Sequence, residues 1–390
     1  MTTSLHAQSN TDYLYMAMEL SESTWKLAFS TGTGQKARLR NIAARDLVQL
    51  RRELELAKKR FGLPPQAPVA SCYEAGRDGF WLHRLLSGEG VENVVVDSSS
   101  IEVNRRLRRA KTDRLDAAKL LSMLIRWRQG EKEVWSVVHA PSRDVEDGRR
   151  LHRELEVLRR EQTRHSNRIK GLLISVGIAL EKIDRELPER LAAMRQYDGE
   201  PLPCHLHQQL LREFQRMQLA NQQIRELEQE RAQRIRHEQE DAQLEMVRRL
   251  LLVRGIGVNS SWMFVKELFG WRQFANRRQL GAAVGLAPTP YRSGDSHREQ
   301  GITKGGDRRL RTMLIEIAWG WLRFQPNSRL TRWYYERFAG GGKRQRRIGI
   351  VALARKLLIV LWRYLRDGEI SDGFDLRERL PAFGYTASLC

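Results

Sequence analysis

Four short apolar runs in the first hundred residues constrain this chain more than any other feature. They are Tyr13–Leu20, Trp25–Phe29, Val69–Tyr73 and Val91–Val96. Each has the length of a strand rather than a helix and is bounded by turn-forming residues. The first two are joined by a short turn, Ser21–Thr24. Helix-like segments separate the rest: Arg45–Phe61, which ends at Gly62 with Pro64 and Pro65 just beyond, and Asp78–Leu86. The amphipathic segment Thr112–Trp127 follows. Strands first, then strands alternating with helices, predict a mixed sheet with helices packed on it, an α/β domain over residues 1–146.

The pattern then changes. From Asp147 to Leu173 it is helical and highly charged, with Leu151, Leu155 and Leu158 on one face. A proline-containing stretch, Pro188–Pro203, interrupts it, and Leu206–Leu252 is helical again. Leu210, Phe214, Met217 and Ile224 lie near heptad spacing, with Asn221 and Glu228 at seam positions. A coiled-coil-like hairpin and a pair of ordinary antiparallel helices both fit. Residues 147–250 are therefore expected to form a helical linker. Residues 251–390 read as a third, mostly helical domain. Its segments are a turn at Arg254-Gly255-Ile256-Gly257, a helix from Ser260, a helical stretch Gln279–Leu286, a long loop Ala287–Asp307, and helices Arg309–Phe324 and Ile348–Arg366. A basic glycine-rich stretch, Gly340–Arg347, lies between the last two.

Charge points to the partner. Among 390 residues there are 68 Lys and Arg against 47 Asp and Glu, a formal charge of +21. Such an excess, mostly arginine, suits the phosphate backbone of a nucleic acid. No run of eighteen apolar residues is present, so no membrane span is expected. The N-terminus lacks the basic-then-apolar pattern of a secretory signal. The expected location is the cytoplasm, in association with the nucleoid. Three cysteines, Cys72, Cys204 and Cys390, do not form a metal-ligand pattern or a disulfide framework.

An acidic cluster inside so basic a chain needs a reason. Glu19 closes the first apolar run and Glu74 the third, while Asp113 and Asp116 lie at i and i+3 on the first turn of a helix. Strand ends and a helix start can meet at one edge of a sheet, and converging carboxylates are the ligands that hard divalent ions take in phosphoryl transfer. Ordinary roles remain open for each. Asp113 can cap the helix, Glu74 can pair with Arg77, Asp116 can face solvent, and Asp97 is a rival ligand. In the long loop, Tyr291-Arg292-Ser293-Gly294-Asp295-Ser296 offers a serine beside Arg292, His297, Arg298 and Lys304. A serine nucleophile needs exposure and positive charge nearby, although a turn serine bonding its own backbone reads the same way.

The motifs together resemble the DEDD insertion-sequence transposase family. Lys111-Thr112-Asp113-Arg114-Leu115-Asp116-Ala117 is similar to its K-T-D-x-x-D-A signature. Cys72-Tyr73-Glu74-Ala75-Gly76 resembles its strand-ending glutamate motif. Gly255-Ile256-Gly257, Gly285-Leu286-Ala287-Pro288 and Thr303-Lys304-Gly305-Gly306 resemble segments of its C-terminal domain. The resemblance runs in order over nearly the whole chain. It departs at Ala17-Met18-Glu19-Leu20, where the family has Asp in a Gly-(Ile/Val)-Asp pattern, and at Thr303, where it has Ser.

The resemblance implies a fold of α/β plus α: an RNase H/RuvC-like N-terminal domain, a helical coiled-coil-like linker and a mostly helical C-terminal serine domain. It implies that Glu74, Asp113 and Asp116 hold Mg²⁺ or Mn²⁺, and Glu19, at the departing position, is expected to join them. It makes Ser293 the nucleophile, with Ser296 as runner-up, in a DNA-joining reaction that passes through a phosphoserine link. Lys111, Arg254, Gly255, Gly257, Arg292, Arg298, Lys304 and Arg308 are the residues expected to contact nucleic acid. The partners implied are donor and target DNA, a structured non-coding guide (bridge) RNA, and further copies of the chain, as dimers forming a tetramer. Two alternatives stand beside this reading: a RuvC-like junction-resolving nuclease using only the carboxylates, and a catalytically inactive nucleic-acid-binding relative.

Overall fold

The computed structural model describes residues 13–76, 79–101, 113–293, 296–370 and 373–381, with backbone alone at 99, 113–116, 289–293 and 296–300. The chain divides into two compact units, Met1–Pro141 and Ser142–Cys390.

The first unit is built on a six-stranded sheet. Its elements are β1 (Leu14–Leu20), β2 (Thr24–Ser30), β3 (Arg38–Ala43), α1 (Leu47–Arg60), β4 (Val69–Glu74), α2 (Trp81–Gly88), β5 (Glu92–Val96), α3 (Asp113–Arg128) and β6 (Val137–Val138). The strand order is β3-β2-β1-β4-β5-β6. The first three strands form an antiparallel meander, β4 and β5 are parallel to β1, and β6 is antiparallel to β5.

Strand alternation sorts the core into two faces. Leu14, Met16, Met18, Trp25, Leu27 and Tyr73 face one side, which includes Leu50 and Ala57 of α1 and Leu82 and Leu86 of α2. Ala17, Ala28, Cys72 and Val96 face the other side with Ala117, Leu120, Leu121 and Leu124 of α3. Two strands were not visible in the hydrophobic pattern. β3 carries Arg38 and Arg40, and its order comes from burying Arg38 against Glu53 of α1 (2.5 Å). β6 has only two residues.

The second unit begins with α4 (Arg143–Asp147), α5 (Arg150–Ile174), α6 (Leu187–Ala193), α7 (Cys204–His237) and α8 (Ala242–Leu252). α5 and α7 are antiparallel partners. Arg159 bonds Glu228, Gln162 bonds Asn221, and His165 and Arg168 bond Glu213, so rising numbers on one helix meet falling numbers on the other. Leu210, Phe214, Met217 and Ile224, the heptad-spaced residues, are buried within this chain. The two polar seam residues are the ones that bond across to α5, so the seam is satisfied in one molecule.

The remaining elements are α9 (Val258–Phe264), which continues as a π-helical turn Val265–Phe269, α10 (Arg277–Ala283), β7 (Pro288–Ser293), β8 (Ser296–Ile302), α11 (Arg308–Phe324), α12 (Arg329–Tyr334) and α13 (Lys343–Asp367). α9 is central: Ser260 to Phe269 are all buried, and α8, α11 and α13 surround it in one apolar core. Two expectations are corrected here. Ala287–Asp307 is not a long loop but contains the β7–β8 hairpin. The basic stretch Gly340–Arg347 does not all lie between helices. From Lys343 it is helix, because Lys, Arg and Gln are good helix formers once Gly342 has started the helix.

Candidate active site and nucleic-acid surface

Parallel pairing brings the ends of β1, β4 and β5 to one edge of the sheet. Met18 pairs with Tyr73 and Glu74 with Val96, so Glu19, Glu74 and Val96 stand in one row. In-register neighbours on parallel strands lie about 4.8 Å apart and share a face. Glu19 and Glu74 therefore share the face of Ala17 and Cys72, two residues back along each strand. Glu74 is exposed and Glu19 half-buried.

That face is the one α3 covers, and the direction of α3 follows from its contacts. Arg128, at its end, bonds Glu92 at the start of β5 (2.6 Å) and lies over the ring of Tyr13, just before β1 (4.7 Å). Further back, the Cys72 thiol lies 3.8 Å from the Leu120 carbonyl. The helix thus runs antiparallel to β1, β4 and β5. Its first turn, with Asp113 and Asp116, starts at the edge that carries Glu19 and Glu74. The side chains of Asp113 and Asp116, and the whole of Lys111, lie outside the described residues. Asp97 follows Val96 at the same edge; its backbone N–H donates to Ser136 and its carbonyl accepts from the Ser100 hydroxyl.

Ser293, Arg292, Arg298, Lys304 and Arg308 belong to the β7–β8 hairpin or the segment that leaves it. Ser293 is the last residue of β7 and pairs with Ser296, the first of β8. Arg292 pairs with His297 and Tyr291 with Arg298. Ser293 is thus at the hairpin tip, with the runner-up opposite it. The side chains of Ser293, Arg292 and Arg298 lie outside the described residues.

The base of the hairpin explains two of the glycine motifs. The Thr303 amide donates to the Ala287 carbonyl (2.9 Å) and that of Lys304 to Gly285 (3.2 Å). Gly285 has φ +68°, and a Cβ there would stand 1.9 Å from the Gly305 carbonyl oxygen. Gly306 has φ +72°, and its Cβ would stand 2.2 Å from that of Ala283. The two segments cross backbone on backbone, where only glycine fits. Arg311 closes the crossing by donating to the Val284 and Gly305 carbonyls (3.1 Å each). Lys304 is exposed and adopts φ +57°, unusual for a residue with a side chain. Arg308 opens α11 and is exposed.

A second set of residues was not anticipated. Lys266 and Glu267 are buried in α9's π-helical turn. Arg153 of α5 grips Glu267 with two bonds (2.7 and 2.8 Å), Arg309 of α11 lies 3.0 Å away and Arg149 3.7 Å. Arg309 also reaches Asp307 and Glu156. Burial alone would raise the Glu267 pKa, but the Arg153 bonds and the Arg309 and Arg149 charges outweigh it and hold the carboxyl below its usual range. Beside this hub, burial pushes His152 down to about 4, aided by Arg231. The hub ties α5 and α9 to the segment that leaves the hairpin. Its signal in the sequence was Lys-Glu inside an otherwise apolar helical stretch.

The Arg254–Gly257 turn links α8 to α9. The Arg254 amide donates to the Asp375 carbonyl, and the Ser260 hydroxyl bonds both the Gly257 amide and carbonyl. Arg254 is exposed and Ile256 fully buried. Among the described residues no helix is long and apolar enough to cross a membrane.

A mixed α/β unit and a helical unit that carries a β-hairpin, in a chain of net charge +21, suit a protein that handles nucleic acid. Comparison with known proteins narrows this. A family model described as "Transposase IS116/IS110/IS902 family" matches residues 247–333, from the end of α8 through the hairpin and α11 into α12. The chain is 40% identical over 371 residues to the putative transposase y4rJ of Sinorhizobium fredii (strain NBRC 101917 / NGR234), covering 92% of this chain and 93% of that one. It is 27% identical over 226 residues to the transposase for insertion sequence element IS1328 of Yersinia enterocolitica, covering 56% and 63%. It is 32% identical over 222 residues to a probable family 20 transposase of Pseudomonas aeruginosa, covering 55% and 62%. The chain belongs to the IS116/IS110/IS902 family of insertion-sequence transposases, and DNA is its partner.

Proposed function

We propose that this transposase cuts and rejoins DNA through Ser293, assisted by a divalent ion at Glu19, Glu74, Asp113 and Asp116. The observation that carries the reading is the shared edge of the sheet. Glu19 and Glu74 stand in register on adjacent strands, and the helix bearing both aspartates starts there. Like charges so close are unfavourable by themselves, and an all-oxygen donor set suits a hard ion such as Mg²⁺ or Mn²⁺. Bound there, such an ion would supply Lewis-acid stabilisation of charge on the phosphate. Glu19 in place of aspartate keeps the charge and adds one methylene of reach. The antiparallel meander followed by parallel strands supports an RNase H/RuvC-like reading of the first unit, and the hairpin supports a serine domain in the second.

In the proposed reaction the Ser293 hydroxyl oxygen attacks a DNA phosphorus. An oxygen–phosphorus bond to serine forms, the bond to one strand breaks, and the hydroxyl proton ends on the departing strand oxygen. The hydroxyl of another strand then attacks the phosphoserine, restores the serine and joins the strands. Exposed Lys304 and Arg308 are placed by this reading near the phosphate backbone.

Site choice is assigned to a structured guide RNA, whose pairing reads sequence while the protein grips backbone. The net charge of +21 and the exposed, basic start of α13, residues 343–347, support a large nucleic-acid partner. Assembly as dimers forming a tetramer belongs to the same proposal.

The test is to trap the protein–DNA adduct with element-end DNA, guide RNA and Mg²⁺. Wild type gives a covalent adduct that Ser293→Ala abolishes and Glu74→Gln strongly reduces, while DNA binding persists in both variants. Cleavage retained by Ser293→Ala with no adduct would establish the hydrolytic alternative instead. No strand exchange by wild type under these conditions would favour the inactive one.

A further inference from the structure

α11 divides its bulky residues between two environments. Leu310, Leu314, Ile317, Ala318 and Trp321 are buried, with Trp321 donating to Ser328 (2.9 Å) in the core. Trp319 and Phe324, on the same helix, are each 50% exposed. At about 100° per residue, Gly320 falls between them on the helix surface. Trp319 and exposed Arg323 lie on one side of it, one turn apart, and Phe324 on the other. A Cβ at Gly320 would meet the Phe324 ring edge at 3.7 Å and little else. By helix geometry these residues frame a notch, with an aromatic side chain on either side of a position that has none.

The notch is held firmly. The backbone of Gly255, in the Arg254–Gly257 turn, lies against Phe324 at the same Cδ2 edge that Gly320 meets, so that a Cβ there would be 3.2 Å from the Phe324 Cβ. The next residue, Gln325, is fully buried. Its amide donates to the Arg254 and Asp375 carbonyls (2.9 and 2.8 Å), and its oxygen accepts from the Asp375 amide (2.7 Å). Phe324 is therefore exposed without being loosely attached. Arginines flank it, and exposed Asp375, whose backbone bonds Arg254 and Gln325, is the carboxylate beside that turn. The Arg323 guanidinium stands 5.6 Å from the Phe324 ring centre, and Arg254 is exposed on the turn that backs the ring. Glu316, one turn before Gly320, is the carboxylate on this exposed row.

We propose that this notch binds an unpaired base of single-stranded DNA, stacked on Phe324 and flanked by Trp319, with Arg323 and Arg254 on the adjoining phosphates. Half-exposed aromatic rings set among arginines suit the π-face and the charge of a nucleotide together. A duplex keeps its bases stacked on one another and offers no free face to such a notch. The proposal rests on DNA being the partner of a transposase and not on Ser293 or the carboxylates, so it stands or fails apart from them.

The test uses the full chain and a labelled oligo(dT) of about twenty nucleotides, enough for one stacking site and its flanks. Phe324→Leu keeps apolar packing on Gly255 but removes the stacking face. It is expected to weaken oligo(dT) binding about tenfold, with duplex affinity unchanged and Phe324→Trp restoring it. Gly320→Leu fills the notch, removes a glycine from a helix interior and should weaken oligo(dT) to a similar degree without lowering the melting temperature. Wild-type oligo(dT) affinity in a folded Phe324→Leu, an equal loss on duplex, or a loss confined to oligo(rU) would each overturn the proposal. The last would point to an RNA strand as the occupant.

Discussion

Replacing Glu267 by Gln removes one negative charge while keeping the side chain's shape. Three arginines then surround a neutral amide: Arg153 at 2.7 and 2.8 Å, Arg309 at 3.0 Å and Arg149 at 3.7 Å. Breaking a buried ion pair by removing one partner costs about 3–5 kcal/mol. Arg153 and Arg309 are partly open to water, which relieves their loss, so the lower end, about 3 kcal/mol, applies. For a unit of this size that lowers Tm by about 6–12 °C. A thermal melt reads the shift, and hydrogen exchange on the amides of α9 assigns it to the second unit. The pH dependence has a definite sign. The carboxyl's pKa is held below its usual value in the folded state. The stabilisation lost in Glu267→Gln is therefore fully present above about pH 4.3 and fades only as pH falls through the lowered folded value. A Glu267→Gln protein that melts within a degree of wild type at pH 7 would refute the view that this hub holds α5, α9 and α11 together.

Three other outcomes follow from the same geometry. His152 is buried and its pKa is pushed down to about 4, so as pH falls from about 6.5 to 4 the unfolded chain takes up a proton that the folded one does not; stability should drop by on the order of 3 kcal/mol, and His152→Gln should flatten that slope in a denaturant titration series. Gly285→Ala places a methyl where Gly305 O already stands; the cost exceeds about 1 kcal/mol, and protease nicking of the 287–307 region should rise. Lys304→Gly relieves a left-handed backbone worth about 1 kcal/mol, so melting should be unchanged or raised while strand transfer falls; a fall in stability would show that Lys304's side chain holds the segment.

Much of the first unit was legible because its strands are buried on both faces and read as short apolar runs. β3 was not, since its order comes from Arg38 meeting Glu53, a pairing between residues fifteen apart. The hairpin carrying Ser293 was read as loop because its strands are polar and interrupted by prolines. Thr289 and Tyr291 are strand formers, and they were the available signal. The exposed aromatics of α11 could not be told from core residues by spacing. Trp319 and Trp321 are two positions apart on one amphipathic helix, and only packing shows which faces water.

The sequence by itself determined the charge, the order of the apolar strands and long helices, and the residue types at each motif, because these depend on local pattern and composition. Tertiary structure alone decided which residues became neighbours. Parallel pairing with a set register put Glu19 beside Glu74, and the antiparallel run of α3 brought a helix start to the same edge. Backbone crossing selected Gly285 and Gly306, and burial joined Glu267 to arginines more than a hundred residues earlier in the chain. Register, helix direction and burial are properties of contacts between distant segments, and no local pattern of residues encodes them.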